Sequence, residues 1–98
     1  MPKLKRLGLT RNQIGEVGMA ALASAFEKDA MPKLEQLEIN RNQIGEAGMA
    51  ALASAVRGGA LPSCEEIVLF RNPGSAAPVQ EAAAQRGGME VCLEEEWY

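Results

Sequence analysis

The residues whose types could do chemistry are two thiols, a run of acids and a ladder of arginines. Cys64 and Cys92 are the only cysteines among 98 residues. A thiol acts as nucleophile or metal ligand only as the thiolate, which a neighbouring cation or metal must favour. The chain contains no His, and nothing activating stands beside either cysteine. Cys64 occupies a leucine position of the pattern described below and reads as a core thiol, while Cys92 reads as pointing away from the core. A bridge needs Cα atoms within about 7 Å, so no disulfide between them is expected. Ser24 and Ser54 fall in helical stretches with no base nearby, and Asp29, the only Asp, falls at a helix end. Glu94-Glu95-Glu96 would attract a cation, although a charge run is more often a solvated tail. No phosphate loop, Cys-x-x-Cys pair or metal-ligand spacing occurs. The chain is expected to be non-enzymatic, with no catalytic, cofactor-binding or metal-binding residue and no cofactor.

Binding is the remaining chemistry, and the elements that would position it are set by a repeat. Arg41 to Ala55 reproduces Arg11 to Ala25 with Val17 replaced by Ala47 as the one change. The period is 30 residues, and 20 of the 30 positions in residues 1–30 recur identically in residues 31–60. Self-similarity at such a period marks a stack of like units, none of which buries its apolar face alone. Met1-Pro2-Lys3-Leu4, Met31-Pro32-Lys33-Leu34 and Leu61-Pro62-Ser63-Cys64 open successive units, with a Pro of locked φ in each turn. Leu7-Gly8-Leu9, Leu37-Glu38-Ile39 and Ile67-Val68-Leu69 then alternate as short strands. Asn12, Asn42 and Asn72 follow in register. Asn suits a turn because its side chain bonds nearby backbone, and in a stack each can satisfy its neighbour's loop. They are expected to form a structural ladder.

The period then becomes helical. Gly18, Leu22, Ala25 and Phe26 share one helix face, as do Gly48, Leu52, Ala55 and Val56. The recurring Gly implies a close approach of helix to strand. Helices are expected to end near Glu27-Lys28-Asp29 and at Arg57-Gly58-Gly59, the second with a glycine stop. Later the pattern departs: Pro73-Gly74-Ser75 replaces Gln-Ile-Gly, with Ser75 as a cap and Pro78 in the first helical turn. Gly87-Gly88 ends that helix, and Met89 to Leu93 alternates as a fourth strand. The expected domain is single, 1–98, with units of about 1–30, 31–60 and 61–88 and a terminal strand and tail over 89–98. The expected core is Leu4, Leu7, Leu9, Ile14, Leu22, Leu34, Leu37, Ile39, Ile44, Leu52, Ile67, Leu69, Val91 and Leu93.

The units read Leu-x-x-Leu-x-Leu-x-x-Asn-x-Ile-Gly-x-x-Gly-x-x-x-Leu-Ala. This resembles the leucine-rich repeat, in its ribonuclease-inhibitor-like class, strongly over residues 1–60 and weakly beyond 72. The resemblance implies an α/β solenoid of right-handed strand-helix units, a parallel sheet on the concave face and helices on the convex face. It also implies a protein partner on that concave face. Family horseshoes are longer and begin with a cap, so the chain reads as an excised piece, a minimal array or a short form.

Side chains between the strand leucines are then expected on the concave face. Arg6, Gln36, Glu66 and Glu90 form one column, Gly8, Glu38, Val68 and Cys92 the next. Thr10, Asn40 and Phe70 form a third, and Arg11, Arg41 and Arg71 flank it. Phe70 beside Val68 is a candidate hot spot on an open face, against local packing as the plainer reading. The arginine ladder would grip a carboxylate or phosphate, against a solvated rim worth little.

Charge is asymmetric. Lys3, Lys5, Arg6, Arg11 and Lys28 against Glu16, Glu27 and Asp29 leave residues 1–30 at +2. Residues 61–98, with Arg71 and Arg86 against seven glutamates, stand at −5 within a net charge of −3. The pI near 5.0 argues against nucleic acid, and no apolar run approaches the roughly 20 residues of a membrane span. Neither partner is expected, nor is a signal peptide, and a cytoplasmic location is. An unpaired first strand and opposite charge at the two ends point to homo-association, with a dimer as one outcome, as the alternative to a separate protein partner.

Overall fold

In each unit a turn residue breaks the strand alternation and hands the chain to a helix, so the fold is one motif repeated. The computed structural model describes residues 5–9, 14–28 and 32–93. The elements run β1 (Arg6–Gly8), α1 (Gly15–Glu27), β2 (Gln36–Glu38), α2 (Glu46–Arg57), β3 (Glu66–Val68), α3 (Ala77–Arg86) and β4 (Glu90–Cys92). The described strands form a four-stranded sheet in the order β1-β2-β3-β4, every pair parallel. The register joins Arg6, Gln36, Glu66 and Glu90 in one row and Gly8, Glu38, Val68 and Cys92 in another. Backbone bonds continue past the strand ends, with the amides of Leu9, Ile39 and Leu69 donating to the carbonyls of Glu38, Val68 and Cys92 at 2.8, 3.0 and 2.9 Å. This is a short α/β leucine-rich-repeat-type solenoid, as the repeat pattern predicts.

The core lies between sheet and helices. Leu34, Leu37, Ile39, Ile44, Leu52, Ile67 and Leu69 are buried there. Leu7, Leu9, Ile14, Leu22 and Val91 only pack against it, half-buried. Their counterparts one unit in are sealed from both sides, whereas the first and last layers have one neighbour among the described residues. Leu93 is corrected outright: it is 39% exposed, because it follows β4, the last strand of the described sheet. Leu4 falls outside the described residues. The reading of one apolar stripe missed Met19, Met49, Ala23, Ala53 and Leu61, all buried. Met19 faces the next helix, where a Cβ on Gly48 would stand 3.3 Å from the Met19 Cβ and Cγ. The interior Gly therefore serves a different approach from the one expected. Cβ atoms at Gly18 and Gly48 would stand 2.7 and 2.6 Å from Cγ2 of Ile14 and Ile44, so the helix closes on the Ile of its own loop and on the adjacent helix.

Two acids tie the layers together. Glu16 Oε1 accepts from the amides of Gly45 and Gly48 at 2.7 and 3.2 Å, and Glu46 Oε1 accepts from Ser75 N at 2.8 Å. Helix α2 has no side-chain cap of its own, so a carboxylate from the preceding unit satisfies two of its opening donors and complements its dipole. Helix α3 begins after Ala76, with Ser75 Oγ accepting from Ala77 N at 3.2 Å and Pro78 in the first turn. At its other end Gly87 turns the chain at φ 76°, and Arg86 donates from Nη1 to the Ala60 carbonyl at 2.5 Å and from Nη2 to that of Leu61.

Candidate concave binding face

Alternation along each strand sends Leu37 and Ile67 into the core and sends the residues on either side to the opposite face. Of the expected contact set, the strand register places Arg6, Gly8, Gln36, Glu38, Glu66 and Val68 on that face. Arg6 and Gly8 are exposed, Gln36 and Glu66 half-buried, and Glu38 and Val68 buried. Asn40 and Phe70 are buried, Arg41 is half-buried and Arg71 exposed. Thr10, Arg11 and Asn12 fall outside the described residues.

Polar side chains bond across the strands. Arg6 Nε donates to Glu38 Oε1 at 2.7 Å, one strand over and two residues along. Gln36 Nε2 donates to Glu66 Oε1 at 2.6 Å. The acids of this face are therefore partly engaged by the face itself. Glu65, Glu66 and Glu90 line an open hollow of about 580 Å³ beside Gly88 and Met89, so the sheet runs from a cationic margin at Lys5 and Arg6 to an acidic one.

The Asn pair is built into the turns. Asn42 Nδ2 donates to the carbonyls of Leu9 and Asn40 at 2.7 and 3.1 Å. Asn72 Nδ2 donates to those of Ile39 and Leu69, both at 3.0 Å, while its Oδ1 accepts from the amides of Asn42 and Ile44 at 2.8 and 3.1 Å. One side chain thus closes its own turn and the turn before it. The residue preceding each Asn is left-handed, Arg41 at φ 60° and Arg71 at φ 59°. An L-residue there costs about 1–2 kcal/mol, and the Asn bonds that the turn permits offset it. Nothing in the residue type signalled this, since Arg is not a preferred left-handed residue.

Of the two readings of Phe70, exposed hot spot and local packing, the second describes its surroundings: it is only 5% exposed, with the Arg41 guanidinium carbon 6.0 Å from its ring centroid, inside the range of cation–π attraction. Val68 beside it is 0% exposed. Neither belongs to the core cluster between sheet and helices. Both side chains are thus buried at β3, which alternation could not tell, since it gives the side a residue takes and not its exposure.

Cys64 is buried in the core, its Sγ donating to the Glu66 carbonyl at 3.4 Å, and Cys92 is half-buried in β4. Burial pushes the Cys64 thiol up to about 11, which makes it a poor nucleophile at neutral pH. Among the described residues no group of acids and cysteines is placed to hold a metal ion, and no helix is long and apolar enough to cross a membrane.

Residues 1–23 and 30–53 match the family model described as leucine rich repeat. No curated protein and no solved structure gives a significant match. Domains of this family generally mediate protein–protein interaction and are typically non-enzymatic. The matched segments run from Met1 through β2 into α2, and α2 and β3 continue the same strand–helix stack with the Asn72 turn, so the match supports a leucine-rich repeat protein.

Proposed function

We propose that this chain is a non-enzymatic protein-binding module of the ribonuclease-inhibitor-like class, acting in the cytoplasm, that recognises its partner with the concave sheet face. One observation carries the reading. Where the first two units are compared, residues 11–25 and 41–55 differ once, whereas Arg6 and Gln36, Gly8 and Glu38, and Thr10 and Asn40 all differ. The turn and most of the helix are held while the three strand-derived concave columns vary, with Arg11 and Arg41 the constant pair beside them. Further changes, Val17 apart, are confined to Lys5, Leu9 and the helix end at 26–29. This is a pattern a repeat scaffold uses to carry specificity on one surface. Helices of 12 and 13 residues in the repeated units support the long strand-helix class, and a buried free thiol at Cys64 supports a reducing compartment.

The test is selection of peptides from a random display library on the immobilised protein. Selected peptides should lose binding to Gln36→Ala and Arg71→Glu proteins and keep it to Ser54→Glu, whose side chain is exposed on α2. Peptides that bind all three variants alike would sink the reading. A second reading, self-association, is favoured by the half-burial of Leu7, Leu9, Ile14 and Leu22 in the first layer and is argued at the scale of the whole molecule below.

A further inference from the structure

The turns that follow β2 and β3 each set an arginine in the left-handed region, Arg41 at φ 60° and Arg71 at φ 59°. Gly and Asn enter that region at little cost, whereas a long side chain is strained there by its Cβ. The turns are firmly held. The Arg41 amide donates to the Phe70 carbonyl at 3.1 Å, and Asn72 Oδ1 accepts from the amides of Asn42 and Ile44. Equivalent positions in successive units lie about one strand spacing apart, about 4.8 Å, so two like charges adjoin. Asn at both positions would relieve the strain and the repulsion together. Packing accounts for part of one arginine, since the Arg41 guanidinium sits over the Phe70 ring. Arg71 is exposed, and at an exposed position a charge contact contributes little to stability. A local rule broken in two successive units, without a matching gain in stability, marks a functional position.

We propose that Arg41 and Arg71 form an anion-binding rim where the strands end, and that they take the Asp or Glu carboxylates of an acidic segment of the protein partner. This deepens the protein-binding reading and rests on it. A guanidinium presents a planar fork of donors that matches a carboxylate. The seat on Phe70 orients the fork of Arg41, and Arg71, one unit on, supplies a second. The rigid turns lower the ordering cost of such a contact. Both arginines already have a contact within the chain, and five donors on each leave room for a further acceptor. The opposite margin sets the direction. Glu66 and Glu90 open β3 and β4, and with Glu65 they line the acidic hollow. An acidic segment is repelled there and is directed to the end of the strands where the arginines stand.

The test selects peptides from a random display library, joined to their carrier at the C-terminus so that only side-chain carboxylates are offered. Peptides selected on the native chain should be enriched in Asp and Glu over the unselected library. Their affinity should fall about tenfold or more for Arg71→Asn, the loss of a charge-assisted hydrogen bond, and further for Arg41→Asn/Arg71→Asn. Exchanging the peptide's acids for Asn and Gln should weaken binding to the native chain and leave binding to the double variant unchanged. Arg71→Asn should also melt at a higher temperature, because Asn accepts the left-handed backbone. Arg71→Lys keeps the charge and the strain but lacks the planar fork, so it should lose affinity with no rise in melting temperature. Selected peptides that depend on Gln36 and carry no excess of acid would remove the arginines' role and leave the concave reading standing. Acidic peptides that bind Arg71→Asn as tightly as the native chain would overturn the proposal. So would an Arg71→Asn protein that melts lower, since the arginine would then serve the fold. An empty selection, or peptides that bind every variant alike, would remove the concave reading and the role of the arginines with it.

Discussion

At the scale of single residues the clearest consequence concerns Cys64. Its thiol is pushed from 9.0 to about 11, first by burial, which penalises the thiolate. The group is neutral when protonated and its folded value is raised, so the folded state holds the proton more firmly than the unfolded chain. That contribution is fully present below about pH 9 and is lost as pH rises towards 11. A melting series across this window should therefore show stability falling in the native chain, with a shallower fall for Cys64→Val. Equal slopes would show that the thiol is not held protonated by the fold. With an uncharged thiol reagent near pH 8, the folded protein should modify Cys64 far more slowly than the urea-unfolded chain. The core role of Cys64 was legible in the sequence because it stands where Leu4 and Leu34 stand in the repeat. The contact of Arg41 with the Phe70 ring was not legible, because that arginine sits in a left-handed turn, and residue type gives no sign of such a turn at Arg.

At the scale of elements each unit depends on the next. Leu37 of β2 is buried in the central part of the stack, with β1 and β3 on either side, and Leu37→Ala should cost about 2–5 kcal/mol because neither neighbour can collapse into the space. Leu7, its counterpart in β1, is only half-buried, so Leu7→Ala should cost clearly less. Chemical denaturation of the two variants measures the difference, and equal losses would contradict the layer order. The carboxylate ties make a second expectation. Glu16 supplies the acceptor for Gly45 and Gly48 at the start of α2, and removing a helix cap costs about 0.5–2 kcal/mol. Glu16→Ala should lose that much and Glu16→Asp, one methylene short, part of it, while Glu81→Ala on the exposed side of α3 should lose little. Strands, helices and their order could be read from the change of period between two and 3.6, and they fall within a few residues of the expected bounds. The tie from Glu16 could not, because it joins residues about thirty positions apart and its signature, a Glu in the first turn of each of two helices, is also that of an ordinary helix start. Met19 and Met49 were missed for a related reason. Helical periodicity marks one stripe, but these helices also face each other, and the positions between helices emerge only when the stack is assembled.

At the scale of the whole molecule the stack is about as wide as it is long, with extents of 28 × 25 × 22 Å, so its two end faces form a large share of the surface. β1 stands at one edge of the described sheet and β4 at the other. Leu7, Leu9, Ile14 and Leu22 are half-buried at the first end, whereas Leu37, Ile39, Ile44 and Leu52 are fully covered one unit on. An edge strand presents unpaired donors and acceptors to any like strand, and the terminal layers of a repeat array limit its solubility. The register says how two copies would meet. The row Arg6, Gln36, Glu66, Glu90, extended by one strand in the same direction, sets Arg6 of a second copy beside Glu90 of the first. Lys5 then lies towards the hollow lined by Glu65 and Glu66. A two-fold pairing of first strands would instead oppose Lys5 and Arg6 to their own copies and is disfavoured by charge. Head-to-tail contact is heterologous, so it yields open chains unless a ring closes. We therefore expect light scattering across a dilution series to show mass above the 10.5 kDa monomer at high micromolar concentration, falling as salt is raised. Arg6→Glu should reduce the association, Glu90→Arg should do the same, and the two together should recover part of it, since the pair is restored with its signs exchanged. A folded 10.5 kDa species at every concentration would dismiss self-association. Association that ignores both charge reversals would leave the contact to the apolar flank of α1 and would remove the electrostatic register.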